Sequence, residues 1–230
     1  MNILLLETAT SVCSVALGVD GIVAATRETS EPNAHSSKMH TFINEVMAEA
    51  HLSPNKLHAV CVSGGPGSYT GLRIGVSGAK GLCFGLNIPL LSVPTLKNMA
   101  AGYRQSHNNF SGLICPMIDA RRMECYSAIY DSSLNESKAV SADIIKEGIY
   151  NRWLDDNAVV FIGDGAAKTQ PILGSHPNAK FDLDFRISAA SMLPLAEQLL
   201  LDGHHEDLAY YEPFYLKDFV AKKSTIRGLH

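Results

Sequence analysis

The chain has 230 residues, of which 46% are hydrophobic and 18% are charged, and its formal net charge is −4. This composition excludes a disordered chain, and the length suits one large domain or two smaller ones. A stand-alone nucleic-acid binder usually carries a strong basic excess, so a partner would supply most of the positive surface for any RNA contact.

The cysteines and the N-terminal residues indicate a compartment. Five cysteines, an odd number, lie at positions 13, 61, 83, 115 and 125, with no CxxC pair and several inside apolar runs. Buried, reduced thiols are typical of cytoplasmic proteins. The first apolar run is too short for a signal peptide, and no apolar stretch reaches the length of a membrane span. We therefore expect a cytoplasmic protein that is not inserted in a membrane.

The first half of the chain opens with strands and continues with alternating helices and strands. Residues 3–6, 12–19 and 21–29 read as a meander whose second turn is Asp20-Gly21. Apolar residues at spacings of three and four predict a helix over 36–50, with Ser36 or Ser37 as its N-cap. A strand at 57–62, a glycine-rich turn, a helix at 72–86, a strand at 88–93 and a helix from 95 to about 104 follow.

The second half begins as the first half does. In both, an apolar run ends in an acid, Glu7 or Asp119, and a turn and another strand follow; with these acids aligned, Cys13 falls on Cys125. A strand at 159–162 and a helix at 189–201 come later. This pattern predicts an α/β protein of the actin-like, ribonuclease H-like class (the class of actin, hexokinase and Hsp70). Two duplicated lobes, 1–105 and 106–230, would each hold a mixed sheet flanked by helices.

Residues that could carry chemistry in such a fold are few. No G-x-S-x-G motif and no His-x-x-x-His spacing occurs, and the nine histidines are scattered, so neither a hydrolase nor a metal site is predicted. Glu7 and Asp119 end strands where kinases of this fold place phosphate loops, and Gly163 and Gly165 form a turn that could contact adenosine. The turns at 8–10 and 120–122 contain no glycine, which disfavours close approach to a phosphate. We expect no cofactor, and structural turns are the favoured use of these four residues.

The helix at 72–86 carries an unusual stripe of small residues. Gly71, Gly75, Gly78 and Gly85 share one arc at 100° per residue. Each glycine costs about 1 kcal/mol relative to alanine in a helix interior. Close backbone approach would offset that cost, and the neighbour is either another part of the same chain or a second subunit.

Several motifs, in order along the whole chain, resemble one family. They are Glu7-Thr8-Ala9, the run from Gly65 to Gly75, Asp119-Ala120-Arg121, Gly163-Asp164-Gly165-Ala166 and Pro213-Phe214-Tyr215-Leu216-Lys217. Together they are similar to the TsaB family. The glycine-rich run is the most specific of them, and its motif residues are Gly65, Pro66, Gly67, Ser68, Thr70, Gly71 and Arg73. Arg122 and Met123 stand where the family more often has Met-Gly, which makes the shape of that turn an open question.

The resemblance implies a function and a set of partners. TsaB proteins are non-catalytic paralogues of TsaD, the enzyme that transfers threonylcarbamoyl to the adenosine next to the anticodon of tRNA. TsaC makes the threonylcarbamoyl adenylate, and the ATPase TsaE assists the TsaB–TsaD heterodimer. The resemblance thus implies a pseudo-enzyme that binds TsaD, forms a homodimer when alone and meets tRNA only through the complex.

The resemblance also implies an interface. TsaB dimers pair through helices that correspond to residues 36–50 and 71–86, which favours a second subunit as the neighbour of the glycine stripe. The implied interface residues are Met39, Phe42, Ile43, Val46, Met47, Leu72, Gly75, Val76 and Gly78. The rival interpretation is an active ATP-dependent enzyme of the same fold, and titration of the isolated chain with ATP discriminates between the two.

Overall fold

Two mixed five-stranded sheets form the frame of this computed structural model, which describes residues 1–217. The first sheet has the order β3-β2-β1-β4-β5. Its strands are β1 (Asn2–Glu7), β2 (Cys13–Val19), β3 (Ile22–Thr29), β4 (Ala59–Ser63) and β5 (Leu90–Val93). The first three strands are antiparallel, as the predicted meander requires, and β4 and β5 run parallel to β1.

The second sheet repeats this topology. Its strands are β6 (Leu113–Asp119), β7 (Glu124–Tyr130), β8 (Glu136–Ile144), β9 (Val159–Ile162) and β10 (Ala179–Asp182), in the order β8-β7-β6-β9-β10. Each strand therefore has a counterpart in the first sheet, which confirms the duplicated actin-like α/β fold. Glu7 pairs with Ser14, whereas Asp119 pairs with Cys125. The counterpart of Cys125 is thus Ser14, and the alignment of Cys13 with Cys125 was wrong by one residue.

Six α-helices cover the sheets in the described range. They are α1 (Ala34–Glu49), α2 (Tyr69–Leu86), α3 (Thr95–Ser106), α4 (Asn151–Leu154), α5 (Ala166–Leu173) and α6 (Leu193–Leu201), and short 3₁₀ turns occupy Pro54–Lys56 and Ala190–Met192. The predicted N-cap of α1 was wrong, because the helix begins after Asn33, whose φ is 62°, with no side-chain cap. The hydroxyls of Ser36 and Ser37 instead donate to the Asn33 carbonyl from inside the first turn.

Two helices, α3 and α6, each pack on the sheet of the other half of the chain. Leu96 and Met99 of α3 pack in one core with Ile114 of the second sheet, while Leu193 and Ala196 of α6 pack on the first sheet. The predicted boundary at residues 105 and 106 therefore separates the strands of the two lobes but not their helices. This exchange joins the lobes and brings polar side chains of α3 to the end of β1.

The five cysteines are buried and free, in agreement with the expected reduced thiols. No helix within residues 1–217 is long and apolar enough to cross a membrane. The basic tail beyond Lys217, which the sequence suggests to be solvated, lies outside the described residues.

Candidate functional site: the interlobe cleft and the glycine-rich turn

Glu7 ends β1 at the position where an actin-like enzyme would use an acid, but it is fully buried. Its Oε1 accepts the Ala9 N–H at 2.7 Å, and its Oε2 accepts the Asn98 amide at 2.9 Å. Burial raises the pKa of Glu7 to about 7, against the smaller opposing effect of these hydrogen bonds. A carboxyl group sealed in this way has no open face for a cation or a phosphate.

The Glu7 carboxyl belongs to a hydrogen-bond network that ties the lobes together. Asn98, on α3, also donates to the Ser188 carbonyl at 3.0 Å and accepts the Ser191 hydroxyl at 2.8 Å. Among residues 1–217, no buried side-chain nitrogen or oxygen lacks a hydrogen-bond partner. Satisfied buried networks of this kind rigidify a junction.

The turn between β1 and β2 is filled by the chain itself. Thr8 Oγ1 donates to the Gly71 carbonyl at 2.8 Å, and the Ser68 N–H donates to the Ala9 carbonyl at 2.6 Å. A Cβ at Gly67 would lie 2.3 Å from the Ala9 oxygen, and one at Gly71 would lie 2.1 Å from the Thr8 oxygen. The N-terminus of α2 thus packs directly on the turn where kinases of this fold hold phosphate. These contacts explain why the run that leads into α2 has glycine at positions 67 and 71.

The glycines of α2 differ in whether another part of the chain lies close to them. A Cβ at Gly75 would lie 2.2 Å from Thr8 Oγ1, and one at Gly78 would lie 2.6 Å from Met39 Cε, so these two glycines allow close packing inside the chain. At Gly81 and Gly85 a Cβ would meet nothing within 4 Å. The intramolecular alternative therefore accounts for Gly75 and Gly78, whereas Gly85 of the stripe and Gly81 beside it face outward.

The interface residues implied by the family resemblance mostly pack inside the chain. Seven of them are buried, namely Met39, Ile43, Val46, Met47, Leu72, Gly75 and Val76, while Phe42 and Gly78 are half-buried. Met39, Ile43, Val46, Met47 and Val76 belong to one core cluster with residues of the first sheet, and Phe42 packs against it. The interface itself stays a prediction, but side chains buried in one chain are not available to contact another. A partner on this side can reach Phe42, Gly78 and the exposed residues of the two helices.

Phe84 is the residue that the sequence interpretation missed. It is 82% exposed and lies on α2 between the two outward-facing glycines. Helical periodicity predicts that Phe84 is exposed, because the residue falls outside the apolar arc of α2. That arc is formed by Leu72, Val76, Ala79, Cys83 and Leu86. Phe84 is the large apolar side chain that α2 exposes, and no side chain lies within 4 Å of a Cβ at Gly81 or Gly85 beside it.

Asp119 ends β6 as the counterpart of Glu7, and its carboxylate pairs with a lysine. The Lys168 ammonium pairs with the Asp119 carboxylate and donates to the carbonyls of Arg122 at 2.9 Å and Glu124 at 2.7 Å. Partial burial of Asp119 would raise its pKa, but the Lys168 ammonium and the Arg121 N–H together hold that pKa below its usual value. The Asp119 carboxylate is thus paired with a cation of the same chain.

The turn after Asp119 has a defined shape despite its unusual sequence. Arg121 and Arg122 both adopt left-handed conformations, with φ of 69° and 50°. Such conformations are costly for residues other than glycine. The Asp119 carboxylate accepts the Arg121 N–H at 2.7 Å, and Lys168 holds the Arg122 carbonyl, so local hydrogen bonds offset the strain. Both arginines therefore adopt a backbone conformation that glycine would favour, whereas Met123, at the family's glycine position, does not.

The Gly163–Gly165 turn serves packing. A Cβ at Gly163, whose φ is 94°, would lie 2.5 Å from the Met117 oxygen, and the Gly165 N–H donates to that same carbonyl at 3.1 Å. Asp164 accepts the Asp119 N–H at 2.9 Å, and burial raises the pKa of Asp164. No group of three or more metal-ligating side chains occurs in the described part of the chain.

The C-terminal segment, residues 211–217, covers the glycine-rich turn. The Phe214 N–H donates to the Gly64 carbonyl at 2.8 Å. Gly65, at φ 105°, would place a Cβ 2.3 Å from the Phe214 oxygen. Farther along, the Lys217 ammonium pairs with Glu124 in the other lobe. The run from Pro213 to Lys217 therefore holds the glycine-rich turn and connects the two lobes.

The remaining residues of the turn begin α2. The Ser68 hydroxyl caps the helix by accepting the Gly71 N–H at 3.2 Å. The Tyr69 ring lies 4.9 Å from the Tyr215 ring, and the Arg73 guanidinium lies 5.3 Å from the Tyr69 centroid. Pro66 is buried behind this cap, whereas Thr70 is exposed. These contacts assign the motif residues to a structural junction.

The duplicated sheets, the helices that pack across the two halves and the buried, hydrogen-bonded Glu7 define a protein of the actin-like fold. Residues 28–225 match the family model described as TsaD, tRNA N6-adenosine threonylcarbamoyltransferase. The chain is 33% identical over 229 residues to the tRNA threonylcarbamoyladenosine biosynthesis protein TsaB of Escherichia coli, covering 97% of each chain. It is 30% identical to the TsaB of Haemophilus influenzae over 97% of this chain and 96% of that one. This chain belongs to the TsaB family.

A solved structure agrees with this assignment. YeaZ from Pseudomonas aeruginosa superposes with a TM-score of 0.82 at 25% identity, covering 94% of this chain and 99% of that one. The architecture described above is thus shared along almost the full length of both proteins.

Proposed function

We propose that this chain takes part in threonylcarbamoyladenosine biosynthesis on tRNA as a non-catalytic subunit that binds and activates TsaD. The relatives' names support the pathway. The observation that carries the non-catalytic role is that the chain itself engages both acids at the ends of β1 and β6. Glu7 is sealed in a buried network, and Lys168 neutralises Asp119 where an ATP-dependent relative would need open acids.

The exposed half of α2 is the surface that we assign to TsaD. Phe84 offers a large apolar side chain, and the open space at Gly81 and Gly85 lets a partner helix approach the backbone. Aromatic side chains in such positions dominate binding energy at protein interfaces. The same face serves a homodimer when TsaD is absent. TsaE joins the assembled pair, and tRNA reaches this chain only through the complex.

The test uses one glycine variant, one aromatic variant and one control. Gly81→Leu and Phe84→Ser should abolish co-purification with TsaD and leave the unfolding midpoint unchanged or higher, because neither position supports the fold. Truncation of an anchoring aromatic side chain costs about 2 kcal/mol or more at an interface, or about 30-fold in affinity. Ser36→Ala, at an exposed position near the start of α1, is the control and should bind TsaD normally. Normal TsaD binding by folded Gly81→Leu and Phe84→Ser variants would refute this assignment.

A further inference from the structure

The turn between β6 and β7, residues 120–123, carries two arginine side chains that the fold does not use. Arg121 and Arg122 adopt left-handed conformations, with φ of 69° and 50°. The hydrogen bonds that hold the turn are made by backbone atoms, namely the Arg121 N–H and carbonyl and the Arg122 carbonyl. Glycine has the same atoms and adopts such conformations without a steric penalty. The shape of this arginine turn therefore does not account for the arginine side chains.

Both guanidinium groups of the arginine turn are exposed and unpaired. Among residues 1–217, neither has an ion pair. The neighbouring acids are already engaged, since Asp119 pairs with Lys168 and Glu124 pairs with Lys217. Asp164 accepts the Asp119 N–H, and burial raises the pKa of Asp164. The turn thus presents two uncompensated positive charges to solvent.

The positive charge of the chain is concentrated around this turn. Lys217, the last described residue, pairs with Glu124, which follows Arg122 by two residues. The next 13 residues of the sequence contain one acid, Asp218, and three cations, Lys222, Lys223 and Arg227. The whole chain has a net charge of −4, so this local excess runs against its overall charge.

A further arginine is connected to the turn across the cleft. The Arg73 guanidinium donates to the Tyr69 hydroxyl and lies 5.3 Å from the centroid of that ring. The Tyr69 ring lies 4.9 Å from the ring of Tyr215, two residues before Lys217. The C-terminal segment therefore links the exposed Arg73 of the first lobe to the arginine turn of the second.

From the two unpaired guanidinium groups and the charge around them we infer that the arginine turn binds the phosphate backbone of tRNA, and that Lys217 and Arg73 extend this contact across the cleft. The inference rests on the proposed function, because the complex with TsaD brings tRNA to this chain. Arginine suits this role, since its planar group donates paired hydrogen bonds to phosphate oxygens. Contacts to phosphates position an RNA without reading its sequence.

The double variant Arg121→Gly, Arg122→Gly separates this role from the fold. It removes both charges and leaves a backbone that favours the observed conformation, so Tm should be unchanged or higher. Fluorescence anisotropy with a labelled, unmodified tRNA transcript should show about tenfold weaker binding to the complex with TsaD. The slope of log affinity against log salt should fall by about 2, because each phosphate contact contributes about one unit.

Two matched variants serve as controls. Arg121→Lys, Arg122→Lys keeps the charges and should retain most of the affinity and the salt slope. Arg152→Ala, Lys180→Ala removes two exposed cations elsewhere on the second lobe and changes the net charge equally, and it should bind tRNA normally. Circular dichroism checks that each variant is folded.

The outcomes distinguish this inference from the proposed function. Unchanged tRNA affinity and salt slope in a folded double-glycine variant that still co-purifies with TsaD would overturn the inference and leave the subunit role intact. Loss of TsaD or TsaE binding in that variant would make the turn a protein contact, which also overturns it. Should the wild-type chain and TsaD not associate, the proposed function fails. The decision then comes from the isolated chain at about 50 mM salt, where equal or undetectable tRNA binding by wild type and variant overturns the inference.

Discussion

Replacing Gly75 by alanine tests the intramolecular use of the glycine stripe. The new Cβ would lie 2.2 Å from Thr8 Oγ1, far inside the contact distance that real Cβ atoms show. Thr8 is fully buried, and its hydroxyl donates to the Gly71 carbonyl at 2.8 Å. The side chain must therefore rotate or the helix must shift, and either movement breaks a buried hydrogen bond.

The size of the effect follows from two opposing contributions. Overpacking in a tight core typically costs about 1–3 kcal/mol. Alanine gains up to about 1 kcal/mol over glycine in a helix. We expect a net destabilisation of about 1–2 kcal/mol, which corresponds to a fall in Tm of roughly 2–8 °C for a chain of this size.

The assay is urea or thermal unfolding followed by circular dichroism, with Gly81→Ala as the matched control. Gly81 lies on the same helix with nothing within 4 Å of its Cβ position, so this change should stabilise the chain by up to about 1 kcal/mol. The double variant Thr8→Ala, Gly75→Ala should be less destabilised than the sum of its two single variants, since the clash is with Thr8. A neutral or stabilising Gly75→Ala would refute the packing argument.

Three further predictions concern the cleft. The pKa of Glu7 is raised from 4.5 to about 7, so the folded chain retains a proton that the unfolded chain loses; stability should fall as pH rises from 4.5 to about 7, and Glu7→Gln should flatten this dependence in urea melts at pH 5 and pH 8. Gly65→Ala should free the C-terminal segment, because φ is 105° and the Cβ would displace Phe214; limited proteolysis should then cleave within residues 211–217 faster than in Gly85→Ala, and equal rates would contradict this. Calorimetry should detect no ATP binding by the isolated chain, since Lys168 occupies the Asp119 turn; micromolar affinity that is lost in an Asp119→Ala variant would favour the ATP-dependent enzyme instead.

The sequence was sufficient for the elements whose apolar pattern is strong. The opening meander, α2 and the paired acids Glu7 and Asp119 were all predicted close to their observed places. Strand β8 and strand β10 were not, because β8 is a largely polar run and both form only by pairing with a neighbouring strand. Long-range pairing of this kind leaves little local signal.

The site was predictable in part. The glycine-rich run was correctly placed as a strand–helix junction, but its neighbours were not visible in the sequence. Gly67 and Gly71 face the β1–β2 turn, and Gly65 faces Phe214, almost 150 residues away along the chain. The use of each glycine depends on that distant contact. The exposure of Phe84 was readable from helical periodicity, since the residue falls outside the apolar arc.

The central claim is that this chain supports threonylcarbamoyl transfer without performing it. The direct measurement is transfer to tRNA from synthetic threonylcarbamoyl adenylate, with this chain alone, with its own TsaD alone and with both proteins, TsaE and ATP being present throughout. The account predicts no transfer by the chain alone and transfer by the pair that exceeds the rate of TsaD alone. It also predicts that Phe84→Ser removes the stimulation. Turnover by the purified chain without TsaD would contradict the account.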